Sequence, residues 1–372
     1  MARRLENRFP NLDVTDFASL ARSLELLELS GSARIVGEFE RALAAKFGRA
    51  NAVTLCSGTV SIYAALWALG IGKGDEVIVP PTAPIMSAMP VLQIGARPVF
   101  VDVTTRPGFG FDPGELEAAI TPRTKAVLAV PLWGYPIDME AVLEVTRRKG
   151  VALLEDVAQA HGSTWKGRYL GTFGDAGCFS THERKLITTG EGGFILTDRQ
   201  DIAAAARVLV RYGIENDVGG VKLGSNYKLG AVPAALGLSQ LAKLDAKLAG
   251  RKRIGDQIRA TLSGLGWLTE FEVEPSSVHN GYSLVYQVTD PRIEVWPMSE
   301  WLAKEGVVSD TWRYRYKPMY KMPLFQPYAK QCVNAERLIP RTITFPCHEG
   351  LSDEDIAFMV DRIAAAPKAS AS

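Results

Sequence analysis

A chain of 372 residues with 47% hydrophobic and 22% charged residues is ordinary globular material and long enough for two structural units. Its formal net charge of +1 offers no footing for nucleic acid or an acidic membrane surface as partner. No window approaches the unbroken apolar length of a membrane span, and MARRLENRFP lacks the apolar run of a signal peptide, so the expectation is a cytoplasmic protein.

Cys56, Cys178, Cys332 and Cys347 are scattered and form no CxxC pair, which fits reduced thiols better than a disulfide framework. The first forty residues are expected to pack on one larger unit. Between residues 51 and 197 strands and helices alternate. Short runs rich in Val and Ile recur: DEVIVP at 75–80, RPVFVDV at 97–103, KAVLAVPLW at 125–133, VALLED at 151–156 and GGFILTD at 192–198. They are continuous rather than alternating, as in a mainly parallel sheet buried on both faces. Between them lie segments of helical spacing, such as MEAVLEVTRRKG at 139–150, with Met139, Val142, Leu143 and Val145 on overlapping turns.

The texture changes after Ala231. Residues 232–262 carry leucines at 236, 238, 241, 244 and 248 and read as one long helix joining a large domain, 1–240, to a smaller α+β domain, 241–372. Beyond it YSLVYQV, 282–288, alternates like a half-buried strand, and SEWLAKEG, 299–306, reads as a capped helix. The last helix, DEDIAFMVDRIAAA, follows a Ser352 cap and has acidic residues in its first turn. The closing PKASAS reads as a disordered tail.

Chemistry concentrates in CFSTHERKLITTGEGG, 178–193. A lysine in a turn between two strands is ordinarily a solvated surface group. At the carboxyl edge of an α/β sheet, however, Lys185 can reach a ligand, and a desolvated amine can form a Schiff base with an aldehyde. Asp156 closes VALLED at the end of a central strand. Alone it is a helix cap; with Lys185 it is also the carboxylate that keeps the ring nitrogen of pyridoxal phosphate (PLP) protonated. CSGTVSIYAALWALG, from Cys56, sets Gly58 and Thr59 at a helix start, where backbone N–H groups and a hydroxyl can seat a phosphate. Ser180 can add another hydroxyl. Each signal is weak alone, because Ser and Thr commonly cap helices.

Together and in this order the three resemble a fold type I PLP-dependent enzyme of the sugar aminotransferase (DegT/StrS) group. The most specific stretch is EDVAQAHGSTWKGRYLGTFGDAGCFSTHERKLITTGEGG, 155–193. Further matches are CSGTVSIYAAL, GDEVIVPP followed by GARPVFVDV, GSNYKLGAVPAALGLSQLAKLD at 224–245 and FPCHEGLSDEDI at 345–356. The resemblance implies that Lys185 is the catalytic Schiff-base lysine and proton shuttle, and that Asp156 pairs with the pyridinium nitrogen. It implies that Gln159 lies beside the ring near its hydroxyl, and that Gly58, Thr59 and Ser180 hold the phosphate. Asn226 matches an asparagine that reaches the phosphate of a neighbouring subunit, which implies a homodimer with shared active sites.

The reaction so implied moves an amino group from glutamate or glutamine to a keto group of a sugar, nucleotide-sugar, cyclitol or similar small molecule. Two departures stand out: Pro84 where relatives carry a ring-stacking aromatic, and Pro131 where they often have histidine. They leave open a PLP enzyme with elimination, decarboxylation or carbon–carbon chemistry. A non-catalytic scaffold is disfavoured, since it needs neither lysine, aspartate nor phosphate seat. His161, His182, His279 and His348 show no metal-ligand spacing. WRYRYKPMYK, 312–321, reads as a loop near the site mouth, where Arg313, Arg315 or Lys317 meets an anionic substrate group or is simply solvated.

Overall fold

The computed structural model describes residues 3–7, 11–106 and 108–369. Seven strands build the main sheet: β1 (Asn51–Leu55), β2 (Glu76–Val79), β3 (Arg97–Phe100), β4 (Thr124–Ala129), β5 (Ala152–Asp156), β6 (Ala176–Ser180) and β7 (Gly193–Thr197). Their spatial order is β1-β7-β6-β5-β4-β2-β3, and every pairing is parallel except the two made by β7. EVIV in β2 and GFILT in β7 are buried at every position, so neither sheet face can be left to water. All five apolar runs of the sequence lie in this sheet.

Since β1 to β6 run the same way, Leu55, Val79, Ala129, Asp156 and Ser180 finish at one edge, and β7 begins there at Gly193. Open α/β sheets receive their ligands at that edge. Ser57 follows β1 and accepts the N–H of Val60 at 3.2 Å, capping the helix Gly58–Ala68 and aiming its N-terminus at the edge.

A second, antiparallel sheet contains β8 (Leu268–Glu270), β9 (Ser283–Val288) and β10 (Thr342–Pro346). It supports a separate core that includes Ile254, Ile258, Leu284, Met298, Leu302, Phe345, Met359 and Ile363. The helix Leu244–Leu262 joins the cores: Leu244 is buried in the first, whereas Ile254, Ile258 and Leu262 are buried in the second. The chain then returns. Met319, Tyr320, Phe325, Cys332 and Leu338 pack back on the first core, where buried Asp102 accepts the N–H groups of Asn334 and Ala335 at 2.7 and 2.9 Å.

Five local expectations need revision. The run YSLVYQV does not alternate between core and water: Ser283, Leu284, Val285, Tyr286 and Val288 are all buried, because both faces of that strand are covered. The segment 232–262 is two helices, Ala231–Ala242 and Leu244–Leu262, that meet at Lys243. Lys243 is held by Asp13 and Asp16 at the start of the helix Val14–Glu25, and the second piece turns off there toward the other core. SEWLAKEG is the later part of a helix that starts at Val295, so Ser299 is buried inside it rather than capping it. Pro297 sits in its first turn, where a missing N–H costs nothing.

The N-terminal residues serve both cores rather than one. The strand Leu5–Glu6 pairs with Val307–Val308, while Ser19 in the helix Val14–Glu25 donates to the carbonyl of Ala235 at 2.7 Å. Finally, the helix Asp353–Ala369 runs on through the first half of PKASAS, and residues 370–372 lie outside the described residues. Its Ser352 cap is present: Ser352 Oγ accepts the N–H of Asp355 at 3.1 Å.

Candidate active site

Asp156 ends β5 and is only 6% exposed. Ser87 donates its hydroxyl to Oδ2 at 2.6 Å, and the N–H of Ala158 reaches Oδ1 at 3.1 Å. Burial raises its pKa; the two hydrogen bonds and the charge of Lys185 pull the other way. A carboxylate so enclosed is prepared for a cationic partner.

Its neighbour Glu155 faces the opposite way, fully buried. It accepts backbone N–H groups from Gly171 at 2.6 Å, Phe173 at 2.7 Å and Gly174 at 2.8 Å. This pins the loop that leads from the hairpin Thr164–Tyr169 into β6. The glycines in GTFGDAG are required by contact: a Cβ on Gly177 would lie 2.2 Å from the carbonyl of Gly171. Gly171 itself has φ +86°, and a Cβ there would meet Phe179 at 2.5 Å.

The end of β6 touches the helix start after β1. A Cβ on Gly58 would fall 2.5 Å from Cβ of Ser180, and one on Gly193 would fall 2.6 Å from the backbone nitrogen of Gly58. The N-terminus of the helix Gly58–Ala68, the half-buried Thr59 and the Ser180 hydroxyl therefore converge. Free N–H groups at a helix start favour an anion.

Lys185 sits in the connection from β6 to β7, its N–H donating to the carbonyl of His182 at 2.9 Å. The connection is braced by the Thr181–Thr189 hydroxyl pair at 2.6 Å. Lys247 braces it from outside, donating to the carbonyl of Leu186 at 2.8 Å; burial pushes its pKa down to about 8. Lys185 Nζ lies 5.2 Å from the centre of the Tyr282 ring, at the approach to β9. Burial lowers its pKa, opposed by the negative charge of Asp156 and by Tyr314 and Asp310.

Gln159 is half-buried, and its Oε1 accepts the N–H of Trp133 at 2.7 Å. Trp133 holds φ +52° in the short turn Leu132–Gly134 after β4, with its ring 4.9 Å from that of Tyr316. Asn280 ties the wall together, donating to the carbonyls of Gln159 and His161 at 3.0 and 3.1 Å. Gly134, at φ +86°, leaves Asn280 its space: a Cβ would lie 2.0 Å from Oδ1.

Gly58, Thr59, Asp156, Gln159, Ser180 and Lys185 thus share the carboxyl edge. Asn226 does not join them: it is exposed, on the segment that follows Tyr212, and no described contact links its side chain to the other candidates. Pro84 caps the helix Ile85–Gln93 without a side-chain bond, and Tyr316 donates its hydroxyl to the nearby carbonyl of Thr82 at 3.0 Å. In the loop 312–321, Arg313 is taken up by Glu6, whereas Arg315 and Lys317 are exposed. His161 is buried and His279 half-buried, desolvation lowers the pKa of each to about 3, and His279 Nε2 meets the carbonyl of Trp133 at 3.1 Å. Among the described residues no group of three or more His, Cys, Asp or Glu is arranged to hold a metal ion, and no helix is long and apolar enough to cross a membrane.

These residues fit PLP on three observations. They are the helix start at Gly58 set directly against Ser180, the enclosed carboxylate of Asp156, and the desolvated amine of Lys185 within range of its charge. Sequence reasoning missed Ser87, Trp133, Asn280, Tyr282 and Lys247. Ser87 carried a faint signal, a lone hydroxyl in the apolar helix after VPPTAP; the others had none, since each arrives through a long-range contact.

The model of the DegT/DnrJ/EryC1/StrS aminotransferase family matches residues 14–364. A GDP-perosamine synthase from Caulobacter vibrioides is 35% identical, covering 98% of this chain and 97% of its own. An L-glutamine:scyllo-inosose aminotransferase from Streptomyces griseus is 34% identical over 86% of this chain and 80% of its own. The crystal structure of DesI, solved in the presence of its TDP-sugar product, superimposes with a TM-score of 0.92 at 28% identity, covering 100% of this chain and 95% of that one.

Proposed function

The chain belongs to the DegT/DnrJ/EryC1/StrS aminotransferase family, and from that premise we propose that it uses PLP to move an amino group from glutamate or glutamine to the keto group of a sugar, nucleotide-sugar or cyclitol. The observation that carries this reading is the meeting of an enclosed carboxylate, a desolvated lysine and an anion cradle at one sheet edge. The relatives named above act on sugars and a cyclitol, which supports that acceptor class.

Bound PLP would supply the electron sink that stabilises the carbanion formed when the donor loses its α-proton. The N–H groups at Gly58 and Thr59, with the Ser180 hydroxyl, would hold its phosphate. Asp156 would hold a proton on the ring nitrogen, kept ionised by Ser87 and Ala158. Gln159, steadied by Trp133, would lie beside the ring. Lys185 Nζ would take the proton from the donor's α-carbon and, in the second half, deliver one to the former carbonyl carbon of the acceptor. Desolvation serves that task, because an amine with a lowered pKa is more often neutral.

Asn226 would serve a neighbouring copy's site in a homodimer. The exposed apolar side chains around it, Tyr212, Val218, Val221 and Leu223, support that reading.

The test is spectroscopic. Protein incubated with PLP should gain a visible absorption band that Lys185→Ala lacks, and L-glutamate or L-glutamine should bleach it. Absence of a lysine-dependent band sinks the cofactor assignment. A band that neither donor bleaches shifts the reading to non-transaminating PLP chemistry, which product analysis by mass spectrometry then identifies.

A further inference from the structure

We infer that Arg184 receives the α-carboxylate of the amino donor. This rests on the aminotransferase reading above and adds to it the residue that selects the donor. Arg184 precedes Lys185 in the connection from β6 to β7. Its Nη1 is cut off from solvent and meets no acceptor among the described residues. A guanidinium offers five N–H donors in a planar fork, and a buried one left without an acceptor is costly. The other arginines whose charge reaches Tyr282 are committed: Arg313 gives Nη2 to Glu6, although its Nε has no partner, and Arg251 is held by Glu349 and the carbonyl of Gly281.

The surroundings of Arg184 are those of Lys185. The charge of Arg184 is felt at Tyr282, Asp310 and Tyr314, and Lys185 Nζ lies over the Tyr282 ring. Asp310 is buried, with Oδ2 tied to Ser283 Oγ at 3.0 Å and to Asn7 Nδ2 at 3.3 Å. Asp310 and Glu6 balance part of the guanidinium's charge, but among the described residues neither makes a hydrogen bond to it, and Nη1 stays available.

Distance along the substrate decides which anion fits. The proton that Lys185 takes leaves the donor's α-carbon, and the α-carboxylate is one bond from that carbon. A phosphate on an acceptor sugar is several bonds removed from its carbonyl carbon. An arginine adjacent in sequence to the proton-handling lysine, and sharing its neighbours, therefore suits the carboxylate, which it can grip through two parallel N–H···O bonds. Glutamate and glutamine share this group, so the site accepts both.

The experiment compares L-glutamate with isoglutamine, its α-amide, on PLP-loaded wild type, Arg184→Gln and Arg184→Lys. Half-saturating concentration is read from bleaching of the Lys185-dependent band, or by competition where isoglutamine does not react. Arg184→Gln should keep the band, raise the value for L-glutamate about tenfold or more and leave that for isoglutamine within about twofold. Arg184→Lys should recover part of the loss.

Equal weakening of both ligands overturns the assignment, because it signals a structural role. So does an unchanged value for L-glutamate, including the case where the KM of a phosphate-bearing keto acceptor rises instead. Those results leave the aminotransferase reading standing. Absence of the band in wild type overturns that reading and the role of Arg184 together.

Discussion

Two regions meet at the end of β5, and adjacent residues serve them. Glu155 faces the loop 171–174 and spends both oxygens on three backbone N–H groups. Asp156 faces the ligand edge and accepts one hydroxyl and one N–H. Both are buried carboxylates with pKa values raised by desolvation. A carboxylate saturated by backbone builds the fold; one left with lone pairs to spare can serve a ligand.

Substitutions can break this contrast. Asp156→Asn should slow the donor half-reaction by about a hundredfold or more, while the melting temperature of the protein without cofactor changes little. An equal loss of Tm would erase the distinction. Glu155→Ala should do the reverse. It leaves three buried N–H groups without an acceptor, so unfolding free energy in denaturant titration should fall by about 3 kcal/mol or more. The bleaching rate per bound PLP should stay near wild type below the melting range.

The packing beneath that edge has its own signature in pH. The ring of His161 lies 5.5 Å from that of Phe179 in β6, and burial depresses its pKa to about 3, from 6.5. Between those values the unfolded chain binds a proton that the folded chain does not, so stability rises with pH. The contribution is complete above about 6.5 and drains away as pH falls toward 3. His161→Phe should therefore flatten the dependence of unfolding free energy on pH between 4 and 6 by about one proton. An unchanged slope would mean that the histidine is not neutral in the fold.

Ser87→Ala is the mildest probe, costing about 1 kcal/mol. It removes a bond that stabilises ionised Asp156, so the Asp156 pKa moves further up and the acid limb of the half-reaction rate shifts to higher pH. No shift would show that Ser87 is not what keeps Asp156 charged.

Sequence alone determined five of the seven strands of the sheet and the residues that carry its chemistry. The five apolar runs declare doubly buried strands by composition. Asp156, Ser180 and the Gly58–Thr59 pair follow directly from strand ends, so a parallel sheet brings them to one edge. The spacing of Lys185 between Ser180 and Gly193 likewise survives into the structure: the serine abuts the helix start, and Gly193 must lack a side chain to pass beside Gly58.

What the tertiary structure decided is what no local pattern encodes. Ser87 reaches Asp156 across 69 residues, and Lys247 braces the Lys185 connection across 61. Tyr282 and Asn280 come in from the approach to the second sheet. The turn at Lys243 depends on two aspartates more than two hundred residues earlier. Hydrophobic periodicity reports how one segment shares its faces between core and water. The partner of a buried polar group is set only when distant segments close on one another, as Tyr282 and Asn280 do at the wall of the site.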